Sequence, residues 1–128
     1  MTFPIPVRGA NRLKFTPASR YVLISTLVPD HTNLIVLDAH SHALVKTMDL
    51  GGGAASIPMV PDGTRAYVAV TTAGKVLVID LKSLEIRGQI APLQIPDGMA
   101  WPCVAASCYS IHDCFDAMKY PACCRTAP

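Results

Sequence analysis

The sequence predicts an all-β protein made of two copies of one four-stranded antiparallel unit. Short runs rich in Val, Ile, Leu and Tyr alternate with turns that contain Pro, Gly, Asp or Ser. The order of these runs and turns recurs after about 40 to 45 residues. A helical interpretation fits poorly, because the runs are short, rich in β-branched residues and interrupted by Gly and Pro.

Length and composition narrow the classes of protein to which the chain can belong. The 128 residues are enough for one ordinary domain, and 51% of them are hydrophobic, which predicts a packed core. The net charge of +2 comes from basic residues spread among acidic ones, so no run is suited to neutralising phosphates. No stretch approaches the roughly 18 uncharged apolar residues of a membrane span. Neither a nucleic acid nor a membrane span is therefore expected.

The first copy follows an extended lead-in at residues 1–11. That lead-in lacks the apolar region of a signal peptide. The strands expected in the first copy are Arg12 to Phe15, Tyr21 to Thr26, Asn33 to Asp38 and Ala43 to Leu50. Gly51-Gly52-Gly53 follows, with neither the Lys-Ser/Thr of a phosphate loop nor G-x-G-x-x-G spacing, so it is predicted to be a flexible connector.

The second copy repeats this order. Its expected strands are Ser56 to Val60, Ala66 to Val70, Val76 to Asp80 and Leu84 to Ile90. The middle two are apolar on both faces, which is typical of strands sandwiched between neighbouring sheets. The last alternates, with Glu85, Arg87 and Gln89 on one face, as expected of an exposed outermost strand.

Matching positions in the two copies indicate the architecture. They are Pro17 with Pro61, Tyr21 with Tyr67, Asp38 with Asp80, and Val45 with Ile86. Four strands per unit at this period are typical of the blades of a β-propeller. The predicted fold class is therefore an incomplete β-propeller of about two four-stranded antiparallel blades, followed by an irregular cysteine-rich tail.

The residues of the second copy resemble the YVTN-type β-propeller repeat. The resemblance is carried by Pro61-Asp62-Gly63, by Ala66-Tyr67-Val68-Ala69, by the run from Lys75 to Asp80, and by Pro96-Asp97-Gly98. The first copy is more degenerate, because Ala18-Ser19 replaces the Asp-Gly after the proline. The resemblance spans residues 12–101, divided into a first blade at about 12–55, a second at about 56–95 and the first strand of a third at 96–101.

The resemblance implies an exported bacterial or archaeal protein, so a periplasmic or extracellular location is expected. Members of the family serve in surface layers, in binding, or as propeller domains related to lactonases and to the haem-carrying propeller of nitrite reductases. A closed propeller needs about four to eight blades, and repeat units bury their apolar faces on neighbours. Two blades should leave wide faces uncovered. The expected partners are other propeller blades or chains, in an oligomer or through a missing segment.

The repeat pattern stops after Pro102, and residues 102–128 form a separate tail. All the cysteines lie there: Cys103, Cys108, Cys114, Cys123 and Cys124. Their spacing lacks the C-x2-C pairs of zinc sites. Three interpretations stay open, namely a metal site that includes His112, a disulfide framework in an oxidising compartment, and an irregular tail unrelated to the propeller.

Few polar residues form a pattern typical of a chemical site. Two histidines one residue apart, as in His40-Ser41-His42, chelate a metal only if the backbone aims both the same way, so a solvated turn is favoured. Asp38 and Asp80 are expected to cap the turns that follow them. No nucleophile-elbow pattern surrounds Ser25, Ser56 or Ser107. Trp101 is expected to pack within a blade. No catalytic, cofactor-binding or metal-binding residue is predicted, and no cofactor.

These observations favour a non-catalytic propeller repeat segment that acts in binding or assembly, or a truncated fragment without independent activity. The alternative is a fragment of a propeller enzyme, either a lactonase-like hydrolase or a haem- or metal-dependent oxidoreductase. That alternative rests on fold analogy, since propellers build such sites from the loops of several blades.

Overall fold

The computed structural model describes residues 2, 4, 5 and 7–100. The strands are β1 Ala10–Phe15, β2 Tyr21–Thr26, β3 Asn33–Asp38, β4 Leu44–Asp49, β5 Arg65–Val70, β6 Lys75–Asp80 and β7 Glu85–Ile90. A 3-10 turn, Thr71–Ala73, joins β5 to β6. Within the described residues no helix is long and apolar enough to cross a membrane. Trp101, His112 and the cysteines of the predicted tail lie outside the described residues.

The strands form two antiparallel sheets, which confirms the all-β class. The first sheet has the order β1-β2-β3-β4 and the second sheet the order β5-β6-β7. Within each sheet every strand pairs with the next strand along the chain, so both sheets are simple meanders. This is the strand order that the four-strand repeat predicted.

The prediction of a continuous strand from Ser56 to Val60 is wrong. The segment still lies antiparallel to β5, with isolated bridges from Ser56 to Ala69 and from Met59 to Ala66. Pro58, between them, has no N–H to give to a ladder, so regular pairing stops there. Residues 56–60 therefore lie beside β5 in the second sheet, at the position that β1 has beside β2 in the first sheet.

The largest cluster of buried side chains joins the two sheets. It contains Leu23, Leu34, Val36 and Met48 from the first sheet, Leu50, Ala54 and Ile57 from the connection, and Ala66, Val68, Val70, Leu77, Ile79, Leu81 and Leu84 from the second sheet. Alternate residues of each central strand point into this cluster, because side chains alternate across a strand. The two sheets thus pack face to face and share one core.

The prediction of an exposed outermost strand is confirmed. Every residue of β7 is exposed. Glu85 and Arg87 on this strand form an ion pair at 3.3 Å between exposed side chains. Such charges discourage the free side of an outermost strand from pairing with another chain.

The structure corrects the predicted match between Tyr21 and Tyr67. Tyr21 pairs with Asp38 across β2 and β3, whereas Asp80 pairs with Arg65 across β5 and β6. Because the two aspartates end equivalent strands, Arg65 is the counterpart of Tyr21, and Tyr67 lies two residues further along. Strand register follows the turns and the buried face, and a shared side chain does not fix it.

The glycine connector is packed, although a flexible connector was predicted. The N–H of Gly53 donates to Thr72 Oγ1 at 2.7 Å, and the N–H of Ala54 donates to the carbonyl of Thr26 at 2.9 Å. A Cβ on Gly52 would lie 2.8 Å from Thr72 Oγ1, so close that a neighbouring side chain would have to shift. The glycines therefore let the chain pass closely between the two sheets.

Candidate functional site

A groove runs between the innermost strand of the first sheet and residues 56–59 of the second. Its volume is about 590 Å³. It is lined by Arg12, Leu13, Lys14, Phe15, Ser56, Ile57, Pro58, Met59, Met99 and Ala100. In a propeller the innermost strands face the central channel, so this groove occupies the place where such folds commonly bind ligands.

Two cations line one wall of this groove. Lys14 pairs across the strands with Leu23, whose side chain lies in the shared core, so Lys14 and Arg12 project toward the second sheet. Arg12 Nη1 donates to the carbonyl of Asn11 at 3.3 Å and to its Oδ1 at 3.4 Å. Among the described residues no carboxylate lies within ion-pair distance of either cation. The wall is therefore positively charged and open to an anionic group.

The end of the described chain closes one side of the groove. Ser56 Oγ donates to the carbonyl of Met99 at 3.4 Å and accepts from its N–H at 3.3 Å. Thr71 Oγ1 donates to the carbonyl of Pro96 at 2.7 Å. These hydrogen bonds hold residues 96–100 against the second sheet, and they occupy the hydroxyl of Ser56 with backbone contacts.

The predicted role of Asp38 and Asp80 as turn caps is confirmed. One carboxylate oxygen of Asp38 accepts the N–H groups of His40 at 2.9 Å and Ser41 at 2.8 Å. Asp80 does the same with the N–H groups of Lys82 at 2.8 Å and Ser83 at 2.9 Å. Backbone donors stabilise the charged form, so they lower the pKa of both carboxyl groups.

Two further aspartates close turns in the same way. Asp49 accepts the N–H of Gly51 at 2.9 Å and the hydroxyl of Thr32 at 2.8 Å. Asp62 accepts the N–H and the hydroxyl of Thr64 at 2.9 and 2.7 Å. These hydrogen bonds lower the pKa of both carboxyl groups. Within the described part of the chain, no three His, Cys, Asp or Glu side chains lie close enough to hold a metal ion.

The face of the first sheet that points away from the second is apolar, and we call it the first outward face. Strand pairing places these residues on it: Leu13, Phe15, Val22, Ile24, Ile35, Leu37 and Leu44. The side chains at its middle are buried, with Val7 and Ala39 packed against them; they are Val22, Ile24, Ile35 and Leu37. Leu13 and Phe15 at its inner side are 54% and 56% exposed. Among the described residues, the uncovered part of this face is therefore limited to its sides, because Val7 and Ala39 cover the middle.

The face of the second sheet that points away from the first sheet is called the second outward face. It consists of Tyr67, Ala69, Val76, Val78 and Gly88. Strand pairing aligns these residues across β5, β6 and β7. A depression of about 470 Å³ lies here, lined by Arg65, Val78, Asp80, Arg87 and Gly88. A Cβ on Gly88 would have nothing within 4 Å. This face therefore has room for side chains from outside it.

Leu13 and Phe15 were not singled out from the sequence. The signal was present, because Arg12, Leu13, Lys14 and Phe15 alternate between cation and large apolar side chain. Such alternation on a strand places the cations on one face and the apolar residues on the other. In a strand at the inner side of a sheet, this predicts a basic groove wall and an apolar outward face together.

Comparison with solved structures supports the fold. Hydrazine synthase from Kuenenia stuttgartiensis is similar with a TM-score of 0.66 and 17% sequence identity, over 78% of this chain and 28% of that one. The dihydro-heme d1 dehydrogenase NirN has a TM-score of 0.63 and 18% identity over 79% of this chain and 23% of its own. The periplasmic gluconolactonase PpgL of Pseudomonas aeruginosa has a TM-score of 0.56 and 18% identity over 76% and 30%.

These structural neighbours are β-propeller proteins, and the chain spans less than a third of the length of each. No family model matches the sequence, and no curated protein matches it. At such identities the likeness shows the fold alone. The chain therefore has the architecture of part of a β-propeller.

Proposed function

We propose that this chain is a non-catalytic YVTN-type β-propeller repeat segment that acts in binding or assembly. The support begins with the shared core, in which the two sheets pack face to face like neighbouring blades of a propeller. Repeat units are stabilised by their neighbours, so each outward face is a potential interface with a further unit.

One comparison within the chain carries the proposal. Phe15 pairs with Val22, just as Met59 pairs with Ala66 in the second sheet. The residues two positions earlier, Leu13 and Ile57, are therefore counterparts as well.

The counterparts differ sharply in burial. Ile57 is 3% exposed within the shared core, and Met59 packs against that core. Leu13 and Phe15 are more than half exposed on the first outward face. Two large apolar side chains at blade-contact positions thus face outward, as expected of a surface that packs against another unit.

The proposal is tested by measuring the mass of the purified chain in solution. Size-exclusion chromatography with light scattering, under reducing conditions, should give a mass above the 13.7 kDa of one chain. The reducing agent removes any disulfide-linked species. A well-behaved monomer that unfolds cooperatively would overturn the proposed function.

The groove between the innermost strands favours a second candidate, a fragment of a propeller enzyme of the lactonase or haem- or metal-dependent oxidoreductase type. Arg12 and Lys14 provide positive charge where propellers commonly build their sites. Metal analysis, an absorption spectrum and a lactone hydrolysis assay of the purified chain test this candidate. A chain without bound metal, haem absorption or hydrolysis would contradict it.

A further inference from the structure

We propose that a second copy of this chain packs its first outward face on the second outward face of its neighbour, head to tail. This inference rests on the proposed function in assembly and names the partner. The arrangement would repeat, between chains, the contact that the two sheets make within one chain.

The second outward face presents the positions that form the core in the first sheet. Val36 and Val78 each lie two residues before the aspartate that ends their strand, so they are counterparts. Val36 is fully buried between the sheets, whereas Val78 is only half-buried. Tyr67, the half-buried counterpart of the buried Leu23, lies beside Val78. This face therefore has the side-chain positions of a blade interface, and within residues 7–100 no third sheet faces Val78. Ala69 and Val76 on the same face are already buried, so the open part of the face lies around Val78 and Gly88.

The first outward face presents the complementary positions. Its buried residues Ile24, Ile35 and Leu37 are the counterparts of Val68, Leu77 and Ile79, which the second sheet contributes to the shared core. Each counterpart is apolar, so the first outward face has the same residue types as the core face of the second sheet, with Val7 and Ala39 packed over its middle. The proposed contact thus continues an interface that the chain already forms.

The exposed part of the first outward face is where the second copy of the chain would make contact. Val7 packs over its middle, while Leu13 and Phe15 at the inner side are open. Burying two large apolar side chains removes apolar surface from water and so favours a contact at this side of the sheet. The two residues are therefore the anchors of the proposed interface.

The two outward faces differ, so the contact is heterologous. Heterologous contacts form closed rings when the rotation between subunits closes. Propellers close with about four to eight blades. Two blades per chain then give rings of two to four copies, and a mass of two to four times 13.7 kDa.

Charge substitutions on the first outward face provide the first test. The double variant Leu13→Lys/Phe15→Lys should weaken association by at least about tenfold in analytical ultracentrifugation under reducing conditions. Both side chains are more than half exposed, so the fold should tolerate the change. Ile86→Lys is the matched control, because Ile86 is 42% exposed but pairs with Ile79 on the side of the shared core. It should associate like the wild type.

A mixing experiment tests the head-to-tail arrangement itself. Val78→Glu should block the second outward face and also leave a monomer, with Val78→Thr as a milder variant if Val78→Glu lowers the unfolding temperature. Each blocked variant keeps the other face intact, so an equal mixture of Val78→Glu and Leu13→Lys/Phe15→Lys should form one-to-one pairs. Two-fold symmetric association through one face predicts no such rescue.

The outcomes separate this proposal from the proposed function. Oligomers that survive both sets of substitutions, or face variants that fail to pair when mixed, overturn the head-to-tail contact and leave assembly standing. A monomeric wild-type chain overturns both, whether residues 101–128 or another protein covers the outward faces.

Discussion

Asp38 and Asp80 make the same two backbone hydrogen bonds at the same place in the two sheets. Asp38 ends β3 and Asp80 ends β6. Each carboxylate accepts hydrogen bonds from the N–H groups of the residues two and three positions later. The turns then continue alike, because His42 and Leu84 both adopt left-handed backbone, with φ of +60° and +55°. Turn geometry is thus preserved between the repeats even where the side chains differ.

Removing one of these carboxylates should loosen its turn. Asp80→Ala leaves two backbone N–H groups without their acceptor and should lower the thermal unfolding midpoint by a few degrees. Asp80→Asn keeps one acceptor oxygen and should lower it less. Lys82→Ala, in the same turn, is the control, because only the backbone of Lys82 contacts the carboxylate. Equal midpoints for Asp80→Ala and wild type would contradict a capping role.

The capped aspartates should make stability depend on acidic pH. The pKa values of Asp38, Asp49, Asp62 and Asp80 are all lowered in the folded chain, so at low pH the unfolded chain binds more protons. Their contribution is complete above the ordinary aspartate pKa of about 3.9 and is lost as the pH falls through the lower folded values. Thermal unfolding midpoints measured from neutral pH down to below the ordinary aspartate pKa should decrease as the pH is lowered. A variant with all four changed to Asn should show a shallower fall.

The strands and their order were predictable from the sequence because local pattern determines them. The runs from Tyr21 to Thr26 and from Asn33 to Asp38 coincide with β2 and β3. Both consist of residues that favour strands and are bounded by residues that favour turns. The role of Asp38 was predictable as well, since an aspartate at a strand end commonly binds the N–H groups of the next turn.

Register and close packing were not predictable, because they depend on distant residues. Tyr21 and Tyr67 look equivalent in sequence, yet cross-strand pairing separates them by two positions. Pro58 interrupts a segment that otherwise has strand composition. Gly52 lies against Thr72 of the second sheet, and no local pattern reveals that contact.

Two glycines should respond in opposite directions to the same substitution. Gly74 has φ of +59°, and a Cβ there would lie 2.6 Å from the carbonyl oxygen of Leu93. Gly74→Ala should therefore cost about 1–3 kcal/mol of unfolding free energy. Gly88 lies within β7 with nothing within 4 Å of a Cβ, so Gly88→Ala should stabilise by about 0.5–1 kcal/mol. Urea titration of both variants measures the difference, and equal effects would contradict it.

The shared core should make the two sheets unfold as one unit. Ile79 in the second sheet is fully buried in the cluster to which both sheets contribute. Ile79→Ala should cost about 2–5 kcal/mol, because it leaves a cavity in that core. Hydrogen exchange should then speed up by a similar factor in β2 of the first sheet and in β6. Lys82→Ala, at an exposed position, is the control and should change the free energy of unfolding by less than about 0.5 kcal/mol. Faster exchange confined to the second sheet would mean that each sheet is stable without the other.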